Sequence, residues 1–280
     1  MSAVSCRRLR ASTVRRVLGF LLGAGCCLWL AACNLPQAPQ TTPGGDRITA
    51  SDETAGTKRA RVRMQLATGY FERGQLTTAL DEVKLAIQAD PAMGDAYNLR
   101  GLIYAALGDG AIAEDSFRRA IEINPRDGDS MHNFGWYLCQ QRRFSEATAL
   151  FQQALELPQY TGSSRTLLAR GICEARAGQW AEAEATLMRA HTADPVNPVV
   201  AVNLAAVLYQ RGEYERARFY VRRLGAAVQQ GSSQNLWLAL RIEKKLGNQD
   251  NVQDLGQQLR NRFPQSRETS FLDQGLFDEQ

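Results

Sequence analysis

Six cysteines and two histidines are the residues through which this 280-residue chain could do covalent, redox or metal chemistry. His132 and His191 stand fifty-nine residues apart. That is too little material, too widely spread, for paired metal ligation or a His-based triad, and no nucleophile elbow, phosphate-binding glycine loop or CxxC spacing accompanies them. Acidic pairs such as Asp81-Glu82 and Glu114-Asp115 fall on outward faces of helical segments, where solvated charge is the ordinary reading. No catalytic residue, metal site, cofactor or small-molecule substrate is expected, and the chain reads as a non-enzyme. The cysteines divide by position: Cys6, Cys26 and Cys27 near the start, Cys33 after two alanines, and Cys139 and Cys173 far along the body.

The position of Cys33 makes sense only with what precedes it. Five arginines, Arg7, Arg8, Arg10, Arg15 and Arg16, open the chain without an acid among them. An uncharged run, Val17 to Leu30, follows; it is short for a spanning helix but suits a secretory apolar region. The run ends Leu30-Ala31-Ala32-Cys33, which resembles the bacterial lipobox. The resemblance implies cleavage after a signal peptide at 1–32, lipidation of Cys33 and export. With Asn34 rather than Asp next in line, it implies anchoring to the outer membrane facing the periplasm of a Gram-negative bacterium. Setting those five arginines aside turns the formal charge of +4 into −1, so the body has no attraction for phosphate backbones and no nucleic-acid partner is expected. In an exported chain the remaining pair, Cys139 and Cys173, reads as a disulfide or as two separate buried thiols.

Residues 34–57 carry three prolines, three glycines and few large apolar side chains, a composition that cannot offset its ordering entropy. With Cys33 this gives a lipidated, flexible tether over 33–57. Beyond it the chain repeats. Ala79, Ala113, Ala147, Ala183, Ala217 and Val252 form a column with steps of 34, 34, 36, 34 and 35 residues. A period near 34 means stacked helix pairs. Ala86, Ala120, Ala154 and Ala190 form a second small column, and Val83, Phe117, Phe151 and Leu187 a large apolar one. Pro91, Pro125, Pro158 and Pro195 end the second helices, and Gly74, Gly108, Gly178, Gly212 and Gly247 mark the turns within pairs. The pattern resembles the tetratricopeptide repeat, most closely over Gly94–Asp127. It implies an all-α, right-handed superhelical solenoid of six helix pairs over 58–266, with a polar tail at 267–280 that lies against the last pair or is disordered. The fifth repeat departs from the pattern at Leu224 and the sixth at Val252 and Gly256.

In that family certain positions of each first helix face a concave groove. Carried onto this sequence they are Met64 and Phe71; Asn98 and Leu102; His132 and Trp136; Arg165, Leu168 and Ile172; and Val202 and Tyr209. These are the expected partner-binding residues, an apolar strip suited to a protein segment. The segment Asn133-Phe134-Gly135-Trp136-Tyr137-Leu138-Cys139, with Cys173 in the next repeat, is more particular. With six repeats behind a lipobox, it resembles the PilW/PilF family of type IV pilus biogenesis and stability proteins. The resemblance implies a pilotin or assembly factor that binds the secretin of the pilus channel, aids its localisation and multimerisation, and carries a Cys139–Cys173 disulfide. The alternative is another periplasmic repeat lipoprotein, a protease adaptor or a barrel-assembly component.

Overall fold

The computed structural model describes residues 53–223 and 231–277. The signal segment, Cys33, most of the tether and Leu224 lie outside the described residues. Within them the secondary structure is entirely helical. Six antiparallel pairs follow one another: α1 (Ala55–Glu72) with α2 (Leu76–Ala89), α3 (Gly94–Leu107) with α4 (Gly110–Ile123), α5 (Gly128–Gln140) with α6 (Phe144–Glu156), α7 (Ser163–Arg176) with α8 (Trp180–Ala193), α9 (Pro198–Gln210) with α10 (Tyr214–Arg223), and α11 (Ser233–Lys245) with α12 (Gln249–Arg262). A thirteenth helix, α13 (Arg267–Gln274), closes the described chain. This is the all-α tetratricopeptide solenoid that the period predicts.

The sequence columns are the packing surfaces. Ala79, Ala113, Ala147, Ala183 and Ala217 are fully buried, as are Val83, Phe117, Phe151 and Leu187 one turn later. In the second, third and fourth pairs the large side chain of the second helix rests on bare backbone of the first helix. An added Cβ at Gly101 would stand 2.7 Å from the Phe117 ring, at Gly135 2.9 Å from Phe151, and at Gly171 2.6 Å from Leu187. Glycine is therefore required for close approach at these seats. Burying a Phe or Leu side chain contributes roughly 1.5–3 kcal/mol, and the repeat places one such residue in each of the second, third and fourth pairs.

Turns within pairs need a left-handed residue, and Gly74, Gly108, Gly178, Gly212 and Gly247 supply it with φ between 71° and 88°. The third pair lacks that glycine; Arg142 takes the position at φ 61°.

Three local features depart from the reading of the sequence. The first helix begins at Ala55, inside the segment read as tether to residue 57, because the Thr54 side chain accepts a hydrogen bond from the Thr57 backbone N–H and starts the helix early. The longer step between the third and fourth repeats is spent on a turn at 157–162 in which Gln159 adopts φ 66°. Tyr160 folds back from that turn onto Gly128 and Gly162, each of which would bring a Cβ within 2.6 Å of its side chain. The tail, in turn, is ordered from 267 through 277. Ser266 caps α13 by accepting from Thr269 N–H, and Thr269, itself buried, donates to the Phe263 carbonyl at 2.7 Å. Phe271 and Phe277 lie 6.3 and 5.6 Å from the Trp237 ring, centroid to centroid.

Candidate protein-binding face

First helices of successive pairs, α1, α3, α5, α7, α9 and α11, lie beside one another, so residues one repeat apart become neighbours. Four contacts follow from that spacing alone. Asn133 donates its side-chain amide to Asn98 at 3.2 Å, and Arg165 pairs with Asp129 at 2.6 Å. His132 Nδ1 lies 2.9 Å from Thr166 Oγ1, and Cys139 and Cys173 have Cα atoms 5.8 Å apart with their sulfurs within bonding distance. These partners are 34 to 36 residues apart. They form rungs between the second and third pairs and between the third and fourth.

Around the rungs the expected groove residues fall into two groups. Met64, Phe71, Asn98, Leu102, Trp136, Leu168, Ile172 and Val202 are half-buried, and Arg165 is exposed. Met64 lines a cavity of about 440 Å³ at the first pair, with Met93, Thr68 and Asp95 among its walls. The Asp95 carboxyl is held above the usual carboxylate range, first by burial and then by repulsion from Asp127 and Asp129. Trp136 is half-buried against the apolar cluster that holds Phe134, Tyr137 and Cys139. The Arg176 guanidinium lies 5.2 Å from its ring centroid. A large aromatic that keeps part of its surface accessible can anchor a peptide side chain.

His132 and Tyr209 do not belong to that surface. His132 is 8% exposed and sits between helices, against Phe151 and the Thr166 hydroxyl. Burial pushes its imidazole down to about 4, helped by the nearby Arg165 charge, so it is neutral near pH 7. Tyr209 is 6% exposed, its ring packed against Tyr214 and covered by Arg241 at 4.6 Å. Repeat position gives the direction of these two side chains but not how closely the next first helix covers them.

Three residues outside the expected set complete the geometry: Asp129, Asn133 and Thr166, whose polar groups form the rungs. The signal for them was present as polar residues recurring at the repeat spacing. Tyr160, through its hydroxyl 2.9 Å from Thr166 Oγ1, extends the His132 contact into a chain of three polar groups. Among the described residues no group of histidines, cysteines and acids could hold a metal ion, and none of their helices is long and apolar enough to cross a membrane.

Comparison with known proteins agrees with this arrangement. Tetratricopeptide-repeat profiles match residues 92–159, 132–198 and 174–241. The type IV pilus assembly protein PilF of Pseudomonas aeruginosa is 28% identical over 263 residues, covering 91% of this chain and 96% of its own. A solved structure of Pseudomonas aeruginosa PilF superposes with a TM-score of 0.70 over 79% of this chain and 100% of that one, at 24% identity, a likeness of fold. The crystal structure of PilW, described as a widely conserved type IV pilus biogenesis factor, is 31% identical and superposes with a TM-score of 0.71 over 76% of this chain and 97% of that one. With that identity and superposition along nearly the whole of PilW, the chain belongs to the tetratricopeptide-repeat family of PilW.

Proposed function

We propose that this protein is an outer-membrane lipoprotein that serves type IV pilus biogenesis as a non-enzymatic, protein-binding scaffold. Its partner is the secretin of the pilus channel, whose delivery to the outer membrane and multimerisation it assists. Cys33 carries the lipid, several acyl chains together giving stable anchoring where one is marginal. The tether lets the solenoid reach its partner from the periplasmic face, and a disulfide between Cys139 and Cys173 ties the third and fourth pairs in that oxidising compartment.

The observation that carries the reading is the likeness to PilF and PilW along the chain, joined to the half-buried Trp136 on the first helix of the third pair. A large aromatic at the centre of a contact surface often supplies about 2 kcal/mol or more of binding. The test is co-purification from detergent-solubilised outer membrane. The wild-type protein is expected to retain the secretin, and Trp136→Ala to lose at least tenfold in capture with an unchanged melting curve. A variant that melts early while capture per folded molecule is unchanged makes Trp136 a core residue and ends its assignment as an anchor. Cys33→Ala is expected to leave the outer-membrane fraction; unchanged fractionation overturns the lipid anchor.

A further inference from the structure

Arg176, in the last turn of α7, is exposed, and its guanidinium lies 5.2 Å from the centre of the Trp136 ring on α5. Among the described residues that ring is its partner and no acid pairs with it. Arginines in the turns of the neighbouring pairs end on carboxylates, Arg143 on Glu114 and Glu146 and Arg211 on Glu184 and Glu213. Most arginine–ring contacts of the stack are local, as in Arg73 over Tyr70 and Arg100 over Tyr97. Arg176 instead reaches Trp136 from the next repeat. The comparable contact of Arg241 with Tyr209 is closed, its members 9% and 6% exposed. Here the arginine is exposed and the tryptophan only half-buried.

The two side chains are also held in place. Trp136 stands one turn before Cys139 and Arg176 one turn after Cys173, the residues whose Cα atoms are 5.8 Å apart. A guanidinium resting against a ring keeps its in-plane N–H groups for hydrogen bonding, and their fork matches a carboxylate. Held by the ring, the long side chain has less freedom to lose when a ligand arrives.

We propose that Trp136 and Arg176 form a two-part subsite for an apolar residue and a neighbouring acidic residue in an extended segment of the partner protein. The accessible part of the indole meets the apolar side chain, and the Arg176 fork receives the carboxylate. A basic residue in the same place meets a like charge, so the subsite sets the sign of the segment it accepts. The inference deepens the reading of Trp136 as an anchor and rests on it.

The probes are three fluorescein-labelled heptapeptides that share their leucines and carry glutamate, glutamine or lysine between them, titrated by anisotropy against the full chain in detergent solution. The glutamate peptide is expected to bind about fivefold more tightly than the glutamine peptide, the scale of one exposed ion pair, and the lysine peptide most weakly. Added salt is expected to narrow the difference. Arg176→Gln is expected to erase the preference, whereas Arg189→Gln, which removes an exposed cation from α8, is expected to keep it. Trp136→Ala is expected to weaken the glutamate and glutamine peptides alike, with a melting curve to confirm that the variant is folded. Absence of binding by the glutamate peptide, equal affinity for glutamate and glutamine, a preference that survives Arg176→Gln, or an equal loss in Arg189→Gln overturns the proposal. Co-purification separates this result from the secretin reading. A wild type that retains the secretin while Arg176→Gln retains as much leaves the scaffold standing and removes the subsite. A wild type that keeps the peptide preference but retains no secretin supports the subsite and ends the secretin assignment.

Discussion

The junction of the third and fourth pairs and the junction of the fifth and sixth are built on the same repeat and finished differently. Within the two pairs of the former, Gly135 seats Phe151 and Gly171 seats Leu187 on bare backbone. Tyr160, Thr166 and His132 satisfy one another, and Cys139 stands against Cys173. At the latter, Arg241 Nε and Trp237 Nε1 are buried without partners among the described residues, and Arg241 borders a cavity of about 310 Å³. The former is tied by a chain of three polar groups and a cysteine pair; the latter, among the described residues, leaves two buried donors without a hydrogen-bond partner. The contrast teaches that repeat identity fixes the scaffold, while the residues outside the repeat pattern decide how each joint is finished.

The largest expected effect breaks that contrast at the closed joint. With Cys139 and Cys173 linked, replacing both with serine should cost about 3–4 kcal/mol in urea denaturation, the chain-entropy value for a loop of this length. A loss below 1 kcal/mol would show that the two cysteines do not constrain the unfolded chain. His132 gives the next effect. Its folded imidazole titrates at about 4 against an ordinary 6.5, so above pH 6.5 it is neutral in both states and contributes no pH dependence. As the pH falls from 6.5 towards 4 only the unfolded chain takes up the proton, and stability is lost, by about 3 kcal/mol across that window. Denaturation at a series of pH values should show this slope in the wild type and lose it in His132→Asn.

Two smaller substitutions sharpen the comparison. Gly135→Ala drives a methyl into the Phe151 ring and should destabilise by roughly 1–3 kcal/mol. Gly256→Ala in the sixth pair meets only the flexible end of Leu272 at 3.3 Å and should stay within about 0.5 kcal/mol of wild type, helped by better helix propensity. Equal losses at both sites would mean that the two joints are packed alike. The smallest change should be a gain: Arg142→Gly removes a left-handed conformation from a side-chain-bearing residue and should raise stability by about 0.5–1 kcal/mol, the turn penalty less the added freedom of the unfolded chain. A melting scan against wild type reads it directly.

Much of this was legible in the sequence because a repeat writes the same instruction several times. The alanine columns, the large apolar residue one turn later and the turn glycines each recur, and every described member of the first four pairs sits where the column puts it. What recurs once is harder to read. His132 and Arg241 are polar residues on first helices, and nothing in their spacing says that a neighbouring helix or the tail will cover them. The early start of α1 turns on one hydroxyl, Thr54, and the placement of Tyr160 on a single irregular turn. α13 had a readable signal at both ends, Ser266 before it and Gly275, at φ 71°, after it. It holds only two apolar residues, Phe271 and Leu272, too few to show an amphipathic period, and that concealed it.

The way α13 lies on the last pair governs what a second molecule can do there. Leu272 reaches the Gly256 seat, the kind of bare-backbone site to which a large side chain from a neighbouring helix adds in the earlier repeats. Thr269 occupies the Phe263 carbonyl left over at the end of α12. An uncovered last pair would offer both to the first helix of any other copy, and because such a contact is head-to-tail it would not close on itself. Filled from within the chain, that surface is no longer offered to a second copy, and end-to-end polymerisation loses the contact from which it would start.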